Sequence, residues 1–481
     1  MVLIQIKGGS PWLSIFSSRS RASGSRVGVL WRLEKRMNPE TLRKYCAPVP
    51  RYTSYPTAPH FSSRISELQY VSWLSDLASE VTLSLYVHIP FCHSLCWYCG
   101  CNTKATRQHA PIASYLNVLS SEIRNVAALV PPGHTVTHMH WGGGSPNILL
   151  PCDILALADL IRSKFNLSEA AEFAVEIDPR HIDREQVSAF GEAGVTRVSI
   201  GVQDFEASVQ AAIGREQSFE TTKHAIDAFR RQSITSINID LMYGLPHQTR
   251  ASVERTIEQV FDLEPDRIAV FGYAHLPQRM KHQRLIADEV LPDVTERYAQ
   301  ASRIARHLEG RGYVRVGLDH FAKPTDALAT GAISRNFQGY TIDQADGLIG
   351  LGASAVGHLP QGYIQNAVAV GDYAQRIRNY GVATARGIEL TVEDRMRAFV
   401  IERLMCDLKF SRADIKSRFG VIANSAIADA RALIEADQDG LLDATADGFT
   451  ITERGRPFVR SICARFDAYL GKGAARHSLG V

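Results

Sequence analysis

The chain has 481 residues, 45% of them hydrophobic and 21% charged, with a formal net charge of +3. This is ordinary globular composition, long enough for one large domain and smaller ones, and it excludes a disordered, collagen-like or low-complexity protein. The charge is uneven: residues 1–36 carry seven basic residues and one acid, so the remainder is slightly acidic at −3.

Residues 1–36 also hold seven serines and no apolar run long enough to span a membrane. Acid-poor, Arg-rich and Ser-rich segments resemble organelle transit peptides. The simpler expectation is an upstream start codon, with the protein proper beginning at Met37. Residues 37–82 read as an N-terminal arm, because Pro48, Pro50, Pro56 and Pro59 forbid a long helix over 48–59. From residue 83 short Val-, Ile- and Tyr-rich runs recur at Leu83–Ile89, Val136–Trp141, Phe173–Ile177, Arg197–Val202, Ile237–Met242 and Arg267–Tyr273. Helical periodicity separates them at Ala113–Leu129, Ile154–Phe165, Arg184–Ala193 and Phe219–Gln232. Strand then helix, with short turns, implies parallel strands and crossover helices in an α/β domain over 83–384. Over 385–481 the pattern changes to helices at Met396–Leu408, Ser411–Phe419 and Ser425–Ala436. Gly440–Asp443 and Phe449–Thr452 then flank a polar turn. That order predicts a small, mostly helical, winged-helix-like domain. Residues 391–481 hold fourteen basic and thirteen acidic residues, which is no electrostatic footprint for DNA and favours a packing or lid role.

The chemistry gathers at the C-terminal ends of the predicted strands, where a barrel or partial barrel would bring them together. The first strand leads into Cys92, Cys96, Cys99 and Cys101, four of the eight cysteines within ten residues. Such a cluster in a large chain reads as metal or redox chemistry inside a cell rather than a disulfide framework. Three thiolates spaced C-x3-C-x2-C can wrap three irons of a [4Fe–4S] cube and leave the fourth iron open. A zinc site with Cys101, His88 or His93 as fourth ligand is the alternative, but the usual second, distant pair is missing. The second strand ends in Gly142, Gly143, Gly144 and Ser145, where glycines allow backbone to approach a ligand closely. Glu176 and Asp240 lie inside apolar runs, where a bare carboxylate is costly unless it serves a site.

The cysteine spacing at the end of a first barrel strand, with the glycine run, resembles the radical S-adenosylmethionine superfamily. Further motifs in order narrow the resemblance: Pro50–Pro56, His88–Asn102 with its Cys101, His140–Pro146, Glu176–Arg180, Gly201–Phe205, Arg215–Gln217, Asn238–Pro246, Tyr273–Pro277, Gly317–Ala322 and Arg335–Tyr340. Together they are similar to the oxygen-independent coproporphyrinogen III oxidases over about residues 38–470. The resemblance implies a partial (β/α)6 barrel and a [4Fe–4S] cluster held by Cys92, Cys96 and Cys99. It also implies two S-adenosylmethionines lined by Tyr86, Tyr98, Gly143, Gly144, Ser145, Glu176, Gln203, Arg215, Asp240, Ala274 and Val356. Ser145 stands where the family more often has Thr and keeps the hydroxyl. For Arg215 a structural salt bridge is the competing reading. Cys101 belongs to the motif without being a ligand and stands, with Arg51 and Arg335, among the catalytic candidates. The two arginines are candidates to meet an acidic substrate, with plain surface solvation as the alternative.

The implied reaction is oxidative decarboxylation: a deoxyadenosyl radical takes hydrogen from the β-carbon of a propionate, and loss of CO2 and one electron leaves a vinyl group. Two of four propionates of coproporphyrinogen III react, giving protoporphyrinogen IX. The implied partners are that substrate and a reductant such as flavodoxin or ferredoxin. The expected state is a cytoplasmic monomer, away from membrane and nucleic acid. A related haem-binding chaperone generally lacks the fourth motif cysteine and the Pro50–Pro56 arm, and carries a His-Asn-x-x-Tyr-Trp segment. This chain has Cys101, the arm, and Arg335-Asn-Phe-Gln-Gly-Tyr340 in that place. A radical methyltransferase is disfavoured by the motif series across 201–340.

Overall fold

The computed structural model describes residues 38–471, so the Arg- and Ser-rich segment 1–36 lies outside the described residues. Its frame is a twelve-stranded sheet. The strands are β1 (Thr82–Ile89), β2 (Thr135–Gly143), β3 (Leu167–Ile177), β4 (Arg197–Gln203), β5 (Ser236–Tyr243) and β6 (Arg267–Gly272), followed by β7 (Val314–Val316), β8 (His320–Ala322), β9 (Gly347–Leu351), β10 (Val356–Leu359), β11 (Gly362–Asn366) and β12 (Thr384–Glu389). Their order is β12-β11-β10-β9-β1-β2-β3-β4-β5-β6-β8-β7. Strands β9 and β1 to β6 pair in parallel. The expected six strand–helix units are therefore present as a partial barrel. Antiparallel strands extend both edges, β8 and β7 beyond β6 and β10 to β12 beyond β9.

Strands β1 to β5 alternate in polarity. On β3 Phe173 and Val175 are buried against the helical layer, while Glu172, Ala174 and Glu176 line an interior cavity. On β5 Ile237 and Ile239 are buried, and Asn238 and Asp240 line the same cavity. This is the two-residue period of a strand with helices on one side and a polar interior on the other. Side-chain caps start the helices that pack outside. Asp183 and Gln186 form a reciprocal box at Arg184–Glu192, and Thr249 and Ser252 do so at Arg250–Phe261. At the opposite end of the cavity wall Glu172 pairs with Arg197 at 2.9 Å and Arg267 with Asp326 at 2.8 Å. His138 reaches Asp343 at 3.1 Å.

The C-terminal region has helices Val392–Asp407, Arg412–Phe419 and Ala423–Glu435 and a hairpin of Leu442–Thr445 with Gly448–Ile451. A third strand, Lys409–Ser411, joins the hairpin. Its core includes Met396, Leu404, Phe410, Phe449 and Phe466, and it also takes in Tyr52 and Tyr55 of the N-terminal arm. Arg460 donates to the carbonyls of Val49 and Pro50, and the Tyr52 hydroxyl donates to Asp467 at 3.1 Å. No helix among the described residues is long and apolar enough to cross a membrane.

Glu122, on the helix His109–Leu129, ties the barrel to its β9–β12 extension. Fully buried, it accepts from the Gly352 amide at 2.6 Å and from Asn366 and the Tyr373 hydroxyl at 2.7 Å each. Burial pushes its carboxyl up to about 7 against those three donors. A carboxyl raised in the folded state contributes stability that is full below its ordinary value of 4.5 and is lost as pH rises through 7. Glu122→Ala orphans three donors and is expected to cost about 3 kcal/mol at pH 5, read from urea unfolding midpoints. The gap from wild type should narrow between pH 5 and pH 8; a constant gap would contradict the buried-carboxyl account.

Candidate active site

The interior cavity, about 710 Å3, opens at the C-terminal ends of the parallel strands. Its wall includes Cys92, Cys96, Cys99, Cys101, Tyr86, Tyr98, Gly143, Gly144, Ser145, Glu176, Gln203, Arg215, Asp240, Ala274 and Arg51. Residues spread over some 220 positions of sequence thus meet in one space. Two expected residues stand apart. Val356, half-buried on β10, packs against Phe61, Tyr363 and Leu390 and is not part of this wall. Arg335 lines a smaller neighbouring cavity, and its side chain is only 5% exposed rather than solvated at the surface.

All eight cysteines are free thiols. Cys92 directly follows β1, where Thr103 and Ser145 hydroxyls lie 3.2 Å and 3.5 Å from its sulfur. Cys96 is approached by Arg180 at 3.4 Å and by Arg215 at 3.5 Å. The Cys101 thiol donates to Cys99, which lowers the Cys99 thiol below its ordinary value and raises that of Cys101. Among the described residues no three of His, Cys, Asp and Glu converge on one point, as the ligands of a single ion would. Three cysteines set apart along one wall suit a multi-iron cluster, whose thiolates bind different metal atoms.

The glycine run of β2 lies directly on the cysteine loop. Gly144 and Ser145 amides donate to the carbonyls of Ile89 and Phe91, both at 2.8 Å. A Cβ would stand 2.6 Å from the Glu176 carboxyl at Gly142, 2.3 Å from the His88 ring at Gly143 and 2.3 Å from the Phe91 carbonyl at Gly144. Gly143 also has φ of +105°, a conformation that side chains rarely adopt. The run is therefore a packing requirement rather than a loose turn.

Glu176 is fixed by His140 and the Gly143 amide, both at 3.1 Å. Burial raises its carboxyl, but the His140 contact and that amide prevail and hold it below its ordinary value. Asp240 accepts from the Ser199 hydroxyl and the Asn238 amide at 2.8 Å each. There burial prevails, and the nearby Glu176 charge adds to it, so the carboxyl is raised. The two carboxylates of one cavity are thus pushed apart in acidity. Arg215, buried, pairs with Asp178 at 3.4 Å and donates to the Gly201 carbonyl at 2.6 Å. The salt-bridge reading is present in the geometry, yet Arg215 Nε has no hydrogen-bond partner and remains available. Gln203 sits at a register shift of β4 with φ of +71°, which re-aims the end of the strand.

Several residues without an assigned role in the sequence reading shape the site. Gln283, 1% exposed, donates to the carbonyls of Tyr98 at 2.9 Å and Ala274 at 3.2 Å, and its own oxygen accepts from the Leu276 amide. His282 meets the Cys99 carbonyl at 2.7 Å. Arg180 pairs with Asp178 at 2.6 Å while touching Cys96. His140 was legible, since it shares an inward parity with His138 and Gly142 on β2. Nothing in the polar run Lys281–Leu285 signalled a buried glutamine.

Residues 86–260 match the radical SAM superfamily, and residues 390–458 match the HemN C-terminal domain. An oxygen-independent coproporphyrinogen III oxidase of Bradyrhizobium diazoefficiens is 47% identical, covering 90% of this chain and 97% of its own. That of Paracoccus denitrificans is 42% identical over 93% and 100%. The solved coproporphyrinogen III oxidase (HemN) of Escherichia coli, a radical SAM enzyme, superposes with a TM-score of 0.83 at 39% identity, covering 87% of this chain and 97% of its own. With its cysteine loop, glycine cradle and carboxylates on one cavity wall, the chain belongs to the oxygen-independent coproporphyrinogen III oxidase family of radical SAM enzymes.

Proposed function

We propose that this chain carries out the anaerobic oxidative decarboxylation of two propionates of coproporphyrinogen III to vinyl groups, giving protoporphyrinogen IX in haem biosynthesis. One observation carries the reading. The C-x3-C-x2-C cysteines, the glycine cradle and the two unlike carboxylates share a cavity in a chain similar along most of its length to oxygen-independent coproporphyrinogen III oxidases. Cys92, Cys96 and Cys99 would hold a [4Fe–4S] cluster, which together with S-adenosylmethionine supplies the radical chemistry that abstracts hydrogen.

The chain's own residues bind, orient and exclude water. Gly142–Gly144 let the backbone approach the methionine end of the cofactor, where a side chain would collide with Glu176, His88 or the Phe91 carbonyl. Glu176, aimed by His140, accepts from an ammonium or from ribose hydroxyls. Arg215 Nε is placed to meet a carboxylate, and Arg180 with Arg215 contacts the Cys96 sulfur and holds it in place. Gln283 sets the backbone of Tyr98 and Ala274. In this reading two S-adenosylmethionines lie along the wall between Tyr86 and Asp240, and Arg51 presents a cation to the acidic substrate. The depth of the cavity holds the propionate within reach of the reactive carbon and keeps solvent out. An electron carrier such as flavodoxin or ferredoxin supplies the electron to a monomeric cytoplasmic enzyme that has no use for nucleic acid or membrane.

Anaerobically reconstituted protein should convert coproporphyrinogen III to protoporphyrinogen IX and form about two deoxyadenosines per product. Stable haem binding without CO2 release would support a chaperone instead. Cys96→Ser should abolish the iron–sulfur absorbance near roughly 400 nm, whereas Cys101→Ser should retain it while reducing turnover. Equal loss of absorbance in both would make Cys101 a ligand and overturn its assignment.

A further inference from the structure

Beside the main cavity lies a second one of about 80 Å3. Arg51, Phe271 and Tyr273 line both, so the small cavity is a side chamber of the large one. Among the described residues five arginines line the chamber, Arg51, Arg297, Arg315, Arg335 and Arg460, with one carboxylate, Asp319. Backbone carbonyls hold four of these guanidinium groups in place. Arg51 donates to Gly272 at 2.9 Å, Arg297 to Tyr273 at 2.9 Å, Arg315 to Leu318 at 3.2 Å and Arg460 to Pro50 at 2.9 Å. Arg335 is different. Its guanidinium lies 4.4 Å from the Tyr340 ring centre and 3.7 Å from Asp319, and its Nε and Nη1 have no hydrogen-bond partner although the side chain is 5% exposed.

Gathering cations away from bulk water is costly unless a counter-charge joins them. The acidity of the group divides: Arg51, Arg297, Arg315 and Arg460 are lowered, whereas Arg335, although burial opposes it, is raised by Tyr340 and Asp319. Burial lowers the Arg460 guanidinium to about 10, and the neighbouring charges of Arg51 and Arg335 lower it further. Asp319, which also takes the His320 ring nitrogen at 2.8 Å, is one carboxylate among five arginines. The chamber is too small for a macrocycle and of a size for one carboxylate on a short arm. Guanidinium forks are suited to bind that group through paired hydrogen bonds.

We propose that this chamber is a carboxylate-anchoring subsite that receives one propionate of the substrate while the macrocycle occupies the main cavity. The subsite rests on the porphyrinogen reading above for the identity of its ligand. Through it Arg335, with Arg51 at the entrance, sets which part of the ring faces the cysteine loop.

The test titrates cluster-loaded enzyme with coproporphyrin III, the stable oxidised macrocycle carrying the same four propionates, by porphyrin fluorescence. It also measures kcat and KM for coproporphyrinogen III. Arg335→Gln should weaken binding and raise KM about tenfold, with a smaller fall in kcat. Arg335→Lys should recover part of the loss. Asp319→Asn removes the competing carboxylate and should tighten binding. A structural role for both residues predicts weaker binding in both, so opposite signs are the diagnostic result. Unchanged binding in Arg335→Gln with intact iron–sulfur absorbance, or the same sign in both variants, would overturn the proposal. If Arg335→Gln loses the cluster, Arg335→Lys and Asp319→Asn decide by the same criterion. Absence of turnover in wild type would defeat the porphyrinogen reading instead, and the porphyrin titration would still report on the chamber.

Discussion

Every strand of the parallel sheet has to satisfy two environments at once. Its outer face packs against helices and must be apolar; its inner face lines a cavity that handles charged small molecules and must be polar. A two-residue alternation is the only pattern that does both, and β3, β4 and β5 follow it closely. A one-residue slip of any of these strands would drive Glu176 or Asp240 into the helical layer and leave Ile or Val facing the cofactors. Register and chemistry are therefore one constraint, and the reciprocal helix caps and the ion pairs at the far end of the wall serve to hold it.

Within that frame the same residue type does opposite work at two places. Near the cysteine loop, Arg180 and Arg215 are balanced by Asp178, whose carboxyl they hold well below its ordinary value although burial opposes them. In the side chamber Arg335 stands 3.7 Å from Asp319 and keeps Nε and Nη1 without a hydrogen-bond partner. The chain beyond residue 36 is slightly acidic, so its net charge offers an anionic substrate no attraction and the proposed recognition rests on local cations.

What could be read from the sequence was whatever a single element states by itself. The six parallel units were legible from their periodicity, the cysteine loop from its spacing and the cradle from three consecutive glycines. The antiparallel extensions were not, because β7, β8, β10 and β11 are three to five residues long and β12 six, too short for a period to declare itself. Gln283 was missed for a different reason: its importance lies in two carbonyls, Tyr98 and Ala274, that folding alone brings to it. The same is true of the arginine chamber. Arg51 and Arg335 stood out inside motifs, but their grouping with Arg297, Arg315 and Arg460 exists only in three dimensions.

The arm that carries Arg51 is held by the far end of the chain. Tyr52 and Tyr55 sit in the core built by Met396, Phe449 and Phe466, and Arg460 grips the carbonyls of Val49 and Pro50 just before Arg51. During synthesis the barrel strands and the cysteine loop are complete long before any of those partners leave the ribosome. The arm is thus made before the barrel and seated after it, and this side of the cavity stays open until its partners at Met396–Phe466 have been made.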